Sequence, residues 1–457
     1  MQVGIIGAGP AGMMAALTLI ETNHEVTLID EQSMGGGQIY RHAAQMASQD
    51  TEIFGTDYAA GADLVRRFHA VADNERLTHI KGATVWSVTE DREIAWSVGE
   101  ISYSRLFDAV ILATGALERA MPMVGWTNPG VMTVGAAQIL MKTARHVPAE
   151  SVLIGSGPLL YLVATQMLEM GTPPKALLET QTISDYLYAF PHLRLNSAVI
   201  AYLLKGAGML RKLSRAGIRR HTAVSDVSIS SEAGQHRVAF SFGGKIHKIT
   251  AGHVLVHAGV HPNIQFSQSL GLAHCWNEAN HCLDPDIDAM GRSSKSGIYI
   301  AGDGAGILGA DAAQLSGQLA AMAVLTDQGE SVEASILAAT LSKHRRFRSI
   351  RAFLDRLYKP KKWYSVPDDE TIICRCEEVT ASTVRNAVRL GCLGPNQLKA
   401  FSRCGMGNCQ GRYCGITVVN LIADTRGLSP AEIGYYRIRS PIKPITLEQI
   451  ANHDTIN

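Results

Sequence analysis

The run "VGIIGAGPAG" at residues 3–12 sets the architecture of everything that follows it. Gly7 permits a tight turn from an apolar strand into a helix, Gly9 lets backbone approach a pyrophosphate, and Gly12 allows the helix to pack closely on the strand. The helix N-terminus then faces the phosphate. A helical stretch runs to about Thr22, and "EVTLID" (25–30) reads as a strand ending in an acid. Asp30 lies eighteen residues after Gly12, placed to accept hydrogen bonds from a ribose. A lone glycine pattern is weak, but strand, glycines, helix and acid in this order make a β-α-β unit that binds a dinucleotide.

The same unit recurs at "SVLIGSGPLL" (151–160), with its next strand at "KALLE" (175–179). Gly155 and Gly157 are kept, and Glu179 stands at the ribose position. Leu160 replaces the third glycine and should hold the helix farther from the sheet. No arginine follows Glu179 to take a 2′-phosphate, so NADPH is not expected, while NADH, another adenine nucleotide or an empty relic all fit this degenerate site. Further strands are expected over 78–88, 108–115, 253–259 and 297–303. The alternation predicts doubly wound parallel sheets, an α/β fold with two Rossmann-like dinucleotide-binding domains.

Which nucleotide fills the first site depends on sequence farther off. "GGGQIY" (35–40), "ATGALER" (113–119) and "YIAGDGAG" (299–306) each offer backbone to a long ligand, and FAD needs that many contacts. Asp303 would accept from ribityl hydroxyls, and the helix beginning near Ala310 would aim its N-terminus at the flavin ring. The bland alternative is that Asp303 caps that helix. Candidate cofactor contacts are Gly7, Gly9, Pro10, Ala11, Gly12, Asp30, Glu31, Gly37, Gln38, Val85, Thr114, Gly115, Gly302 and Asp303 at the first site, and Gly155, Gly157 and Glu179 at the second. Glycines and acid recognise only the adenine half, so another adenine nucleotide at the first site remains open.

The 457 residues suffice for two or three domains, and 43 glycines suit an α/β chain with many turns. Lys plus Arg (42) nearly equals Asp plus Glu (41), so no global field favours nucleic acid or an anionic membrane. The uncharged stretches 3–20 and 151–168 are long enough for membrane spans, but Gly-x-Gly-Pro turns break both. The first lacks a basic leader region and a cleavage site. No transmembrane segment is expected, and a cytoplasmic location would keep cysteines reduced, so clusters of them read as metal ligands or redox groups. A first nucleotide domain is expected over 1–118 and 252–350, a second over 119–251, a linker over 351–371 and a small module over 372–457. The linker stretch "DRLYKPKKWYSVPDDE" (355–370) reads as wrapped on a surface. Residues 185–221 read as helical and basic, and the bland account is a solvated helix face.

Five of the eight cysteines fall in "IICRCEEV" (372–379) and "SRCGMGNCQGRYC" (402–414). Cys374 and Cys376 could share one iron of a [2Fe-2S] cluster, and the second pair must come from Cys404, Cys409 and Cys414. Gly405, Gly407, Gly411 and Gly415 would let backbone N–H groups approach sulfide, where larger side chains would block them. Zinc is the rival, but the spacing departs from the usual C-x2-C knuckles. Helices are expected at 380–390, 394–401 and 411–426. Cys275, Cys282 and Cys392 are isolated and read as structural.

"CRCEEVT" and "GMGNCQGRYC" resemble the BFD-like [2Fe-2S] domain. Together with "GAGPAG", "GGGQIYR", "ATGALERAMPMVGWTNPGVMTVGAAQ" and "AGDGAG", the chain resembles the α (A) subunit of heteromeric dye-linked dehydrogenases. These are the opine oxidases, the D-hydroxyproline dehydrogenase complexes and, more distantly, one component of hydrogen cyanide synthase. The resemblance implies a glutathione-reductase-like flavoprotein core with a small helical iron-sulfur domain. It also implies that Cys374, Cys376, Cys409 and Cys414 are the ligands, leaving Cys404 spare. It further implies a partner β subunit, which is a flavoprotein of amino-acid oxidase type. It admits a second nucleotide or FMN at an interface between subunits, and a small γ subunit. A complex of this kind could sit peripherally at the inner membrane.

The expected function is electron transfer. An opine, hydroxyproline or proline-type secondary amine is oxidised on the partner, and electrons pass through flavin and cluster to a quinone or dye. No Cys-x-x-Cys lies beside either nucleotide site, which argues against a disulfide reductase. No acid, base or nucleophile gathers near the cofactor motifs, so no catalytic side chain is assigned. The rivals are a self-sufficient NADH-dependent flavin and iron-sulfur reductase, and a nucleotide-bound scaffold whose cluster is structural.

Overall fold

The computed structural model describes residues 1–45 and 48–456. Its first sheet is five-stranded and parallel, in the order Ile298–Ile300, Ala109–Leu112, Gln2–Ile6, Glu25–Asp30, Leu77–Lys81. Strand Gln2–Ile6 is central because it is apolar on both faces, as a strand covered on both sides must be. Helices Pro10–Ile20 and Ala310–Asp327 cover one face. They meet backbone to backbone: a Cβ on Gly317 would fall 2.0 Å from the carbonyl oxygen of Ala11. Only small residues permit that approach, which brings the 302–309 turn next to the first phosphate turn.

The second sheet is also parallel, in the order Arg219–His221, Ala176–Glu179, Ser151–Ser156, His253–Ala258, Val131–Thr133. A boundary at 252 is therefore corrected, since strand His253–Ala258 pairs with Ser151–Ser156. The chain returns to the first sheet through Val260–Pro262, which pairs antiparallel with Ala116–Glu118. The single strand expected over 78–88 is two. Gly82, at φ +63°, turns the chain out of the first sheet, and Thr84–Val88 joins an antiparallel sheet with Glu93–Val98 and Ile101–Leu106.

Residues 355–370 are anchored at several points. Helix Ala334–Leu357 runs through their start, and Tyr364 is buried against the second sheet beside Ile154 and Leu178. Helices Ala381–Arg389, Pro395–Ser402 and Gly415–Arg426 form the small module, near the expected positions. Its apolar side does not make a separate core. Ile373, Val418 and Leu421 pack in one cluster with Ile6, Val110 and Ile300 of the first sheet. Nor does the C-terminal segment stay with the module, because strand His453–Thr455 pairs in parallel with Ile101–Leu106. Among the described residues no helix is long and apolar enough to cross a membrane.

Candidate functional site

The first phosphate turn has the conformation its glycines allow. Gly7 sits at φ +104°, and a Cβ on Gly12 would lie 1.8 Å from the Gly7 carbonyl oxygen. A Cβ on Gly9 would meet nothing within 4 Å, so that side of the turn is open where a pyrophosphate would come. Pro10 and Ala11 start the helix. Gly37 presses on the turn from the 35–40 loop, its would-be Cβ 2.9 Å from the Cα of Gly9, and Gly302 packs on the Ala11 side chain.

Asp30 accepts from the backbone N–H of Ala8 (2.6 Å) and of Gln32 (2.7 Å). Each oxygen keeps acceptor capacity for a ribose. Burial raises its carboxyl, an effect opposed by those two N–H groups. Glu31 is engaged elsewhere, in an ion pair with Lys443. Asp303 uses one oxygen to accept from the N–H groups of Leu308 (2.9 Å) and Gly309 (3.0 Å), in the turn that leads into the helix beginning at Ala310. Its other oxygen has no protein partner among the described residues. Thr114 donates to the carbonyl of Asn263, and Gly115, at φ +66°, faces open space. Val85 is a core residue paired across the sheet with Trp96.

Lys142 is a contact that sequence reasoning missed. It projects from helix Val134–Ala144, nearly buried, and donates to the carbonyls of Ile39 (2.8 Å) and Gln38 (3.3 Å) and to the Gln138 side chain (3.1 Å). The amine thus ties the 35–40 loop to the second domain. Burial lowers it to about 7.

The second site has kept its turn and lost its opening. Gly155 (φ +134°) and Gly157 (φ +113°) lie against His257, whose Nδ1 is 2.5 Å from Glu118 Oε1. Leu160 is fully buried under the turn. Glu179 is 1% exposed and receives a two-toothed contact from Arg220 (2.6 and 3.0 Å) and a hydrogen bond from Tyr161 (2.8 Å). Segment 358–366 then crosses the carboxyl ends of these strands. Lys361 pairs with Asp185, and Tyr364 sits beside Ser156. The sequence showed the glycines and the acid here, but the arginine that occupies the acid lies 41 positions away.

Five cysteines converge in the small module. The sulfurs of Cys374, Cys404 and Cys414 lie within 4.8 Å of one another, all buried. Cys376, exposed, lies beside Cys409, whose backbone N–H points to its sulfur. Cys404, the cysteine that the resemblance leaves spare, therefore lies among the clustered thiols. The thiols of Cys404 and then Cys414, with the N–H groups of Gly405 and Glu377, hold the Cys374 thiol far below its ordinary value. A set of soft donors this close, with one already favoured as thiolate, fits a thiolate-bound metal group.

The glycines of the module also have a steric role. A Cβ on Gly405 or Gly411 would strike the Tyr436 ring, and one on Gly415 the Tyr435 hydroxyl. Those glycines make room for two tyrosines, and Gly405 also brings its backbone N–H to the Cys374 sulfur. Gly407 faces the thiols as well, its would-be Cβ 2.3 Å from that of Cys376. The module abuts the second domain: Trp126 donates to the Ile372 carbonyl (2.6 Å) and carries Arg375 over its ring.

Residues 1–326 match the family described as pyridine nucleotide-disulphide oxidoreductase, and residues 369–453 match the sarcosine oxidase A3 domain. The A subunit of opine oxidase from Agrobacterium tumefaciens (strain Ach5) is 41% identical, over 98% of this chain and 91% of that protein. Hydrogen cyanide synthase subunit HcnB of Pseudomonas aeruginosa is 31% identical, over 99% and 98%. The structure of L-proline dehydrogenase from P. horikoshii is similar in fold over 98% of this chain and 78% of that one, with a TM-score of 0.69 at 22% identity. This chain belongs to the family of opine oxidase A subunits, as an oxidoreductase component on a flavoprotein fold of the pyridine nucleotide-disulphide type.

Proposed function

We propose that this chain is the electron-transfer subunit of a heteromeric dehydrogenase. The partner, a flavoprotein of amino-acid oxidase type, oxidises the C–N bond of an opine, hydroxyproline or proline-type secondary amine, and electrons leave through this chain toward a quinone or dye. The observation that carries the reading is the shared core: the buried thiols and the first dinucleotide sheet pack in one apolar cluster. FAD at the first site would supply two-electron chemistry, and a [2Fe-2S] group at the thiols would pass single electrons.

The chain's own residues prepare both positions. Gly9 leaves space for a pyrophosphate, Asp30 and the free oxygen of Asp303 accept from hydroxyls, and Lys142 fixes the adjoining loop. Cys374, Cys376, Cys409 and Cys414 would hold the irons. Tyr435 and Tyr436 exclude water on the buried side, while Cys376 faces solvent next to Met406 (49% exposed) and Tyr413 (47% exposed). That loop, residues 402–414, is the contact proposed for the partner subunit.

The NADH-dependent rival loses support at Glu179, whose oxygens are already engaged. NADH alone should leave the flavin oxidised. The deciding experiment compares the chain purified alone with the chain co-expressed with an adjacent oxidase-like reading frame, assaying dye reduction over a panel of amino-acid-derived secondary amines. Activity should appear only with the partner. Turnover by the isolated chain at the rate of the complex would place the substrate site here and end the relay reading.

A further inference from the structure

Four thiolates hold a [2Fe-2S] group, two to each iron. The small module brings five cysteines together, and they fall into two sets. Cys374, Cys404 and Cys414 are each 1% exposed or less, and their sulfurs lie within 4.8 Å of one another. Cys376 and Cys409 stand outside that trio, beside each other and less buried. Thiolates sharing one tetrahedral metal atom, with bonds of about 2.3 Å, stand about 3.8 Å apart, so any two of the trio can meet on the same atom after small shifts. The spatial grouping therefore joins the two cysteine segments: Cys376 with Cys409 at one position, and the trio at the other.

The third buried thiol is placed by its backbone. Helix Pro395–Ser402 ends at Arg403, which takes the left-handed conformation (φ +58°), and Gly405 follows at φ +84°. A non-glycine residue seldom adopts the first of these, and together they turn the chain on both sides of Cys404. Tyr436 donates to the Cys404 carbonyl (3.2 Å) and fixes that turn. A cysteine serving only as apolar filler has hydrocarbon around its sulfur. Cys404 has two other thiols there instead.

We propose that Cys374, Cys404 and Cys414 form a two-of-three ligand site, in which Cys404 takes over when either of the other two is lost. Cys376 and Cys409 have no such substitute among the described residues. The inference rests on the iron-sulfur reading above and adds a ligand to it. An exchange within the trio needs no further reactant: the incoming thiol gives up its proton and the departing thiolate takes one up.

The test uses the full-length chain, purified without air, with each of the five cysteines changed to alanine in turn, because a serine oxygen could itself bind iron. Iron and acid-labile sulfide per chain, the visible circular dichroism spectrum and thermal unfolding are the readouts. Cys414→Ala and Cys374→Ala should each keep at least about half of the wild-type iron and sulfide, with a shifted spectrum because the ligand set has changed. Cys404→Ala should keep both content and spectrum. Cys376→Ala, Cys409→Ala and the double variant Cys404→Ala/Cys414→Ala should fall below about a tenth of the wild-type content. Loss as complete as that of Cys409→Ala in folded Cys414→Ala or Cys374→Ala overturns the proposal, and either variant decides if the other does not fold. Loss in Cys404→Ala also overturns it, by making that thiol obligatory. Stoichiometric zinc without sulfide in the wild type is a separate failure, which removes the iron-sulfur reading and this proposal with it.

Discussion

At Lys142 a buried amine holds two loop carbonyls, and its behaviour with pH can be worked out. Its ordinary value is 10.5 and burial lowers it to about 7. Between those values the unfolded chain carries a proton that the folded one lacks, so this group adds stability as pH rises from 7 to 10.5. Lys142→Met should cost about 1–3 kcal/mol near pH 9, because the Gln38 and Ile39 carbonyls lose their donor. The cost should shrink below pH 7, where the wild type buries a charge. Chemical unfolding of both proteins at pH 6 and pH 9 measures this. Three imidazoles act at the other end: burial first of all lowers His261 to about 3 and His79 and His281 to about 4. They stay neutral in the fold while the unfolded chain protonates them below about 6.5, so stability should fall as pH drops from 6.5 toward 4. Among the thiols, Cys376→Ser and Cys409→Ser should lose the iron of anaerobically purified protein, and Cys404→Ser should retain it. Iron and acid-labile sulfide per chain are the readouts, and stoichiometric zinc without sulfide would remove the iron-sulfur assignment.

The phosphate turn and the blocked second site are the elements where sequence and structure compare most directly. Both turns were legible because a strand-to-helix turn over a ligand demands glycine at fixed spacing, and that demand is local. Gly9→Val should abolish FAD retention with little change in unfolding temperature, since a side chain there meets no protein atom but occupies the pyrophosphate's approach. Released nucleotide identified after denaturation gives the result, and ADP or ATP from the wild type would overturn the flavin role of Asp303. Gly12→Ala, by contrast, would place a Cβ against the Gly7 carbonyl and should fail to fold. What sequence could not show at the second site is that Glu179 belongs to Arg220, because that contact depends on strand Arg219–His221 lying beside Ala176–Glu179. Arg220→Met should therefore cost about 3–5 kcal/mol by stranding a buried carboxylate, and Arg220→Met/Glu179→Gln should recover much of the loss. Urea unfolding of the single and double variants decides it. The tyrosines behind the module glycines were hidden for the same reason: residues 435 and 436 reach them only after the chain folds back.

Over the whole molecule the sheets, the thiol module and the family were readable from local patterns, while the joins between them were not. Helix Ala334–Leu357, segment 358–366 and strand His453–Thr455 tie distant parts together by packing that no periodicity announces. The pairing of residues 453–455 with 102–104 has a consequence for how the protein is made. Ser104 meets His453 across 349 positions, so this sheet cannot be completed until residues 453–455 have left the exit tunnel of the ribosome. Loop closure over such a span is slow, and the waiting strand Ile101–Leu106 has an open edge on which nascent chains can pair with each other. Synthesis should thus pass through a chaperone-dependent interval, and chains ending at residue 440 should accumulate as aggregates even though the phosphate turns and all five clustered cysteines are present.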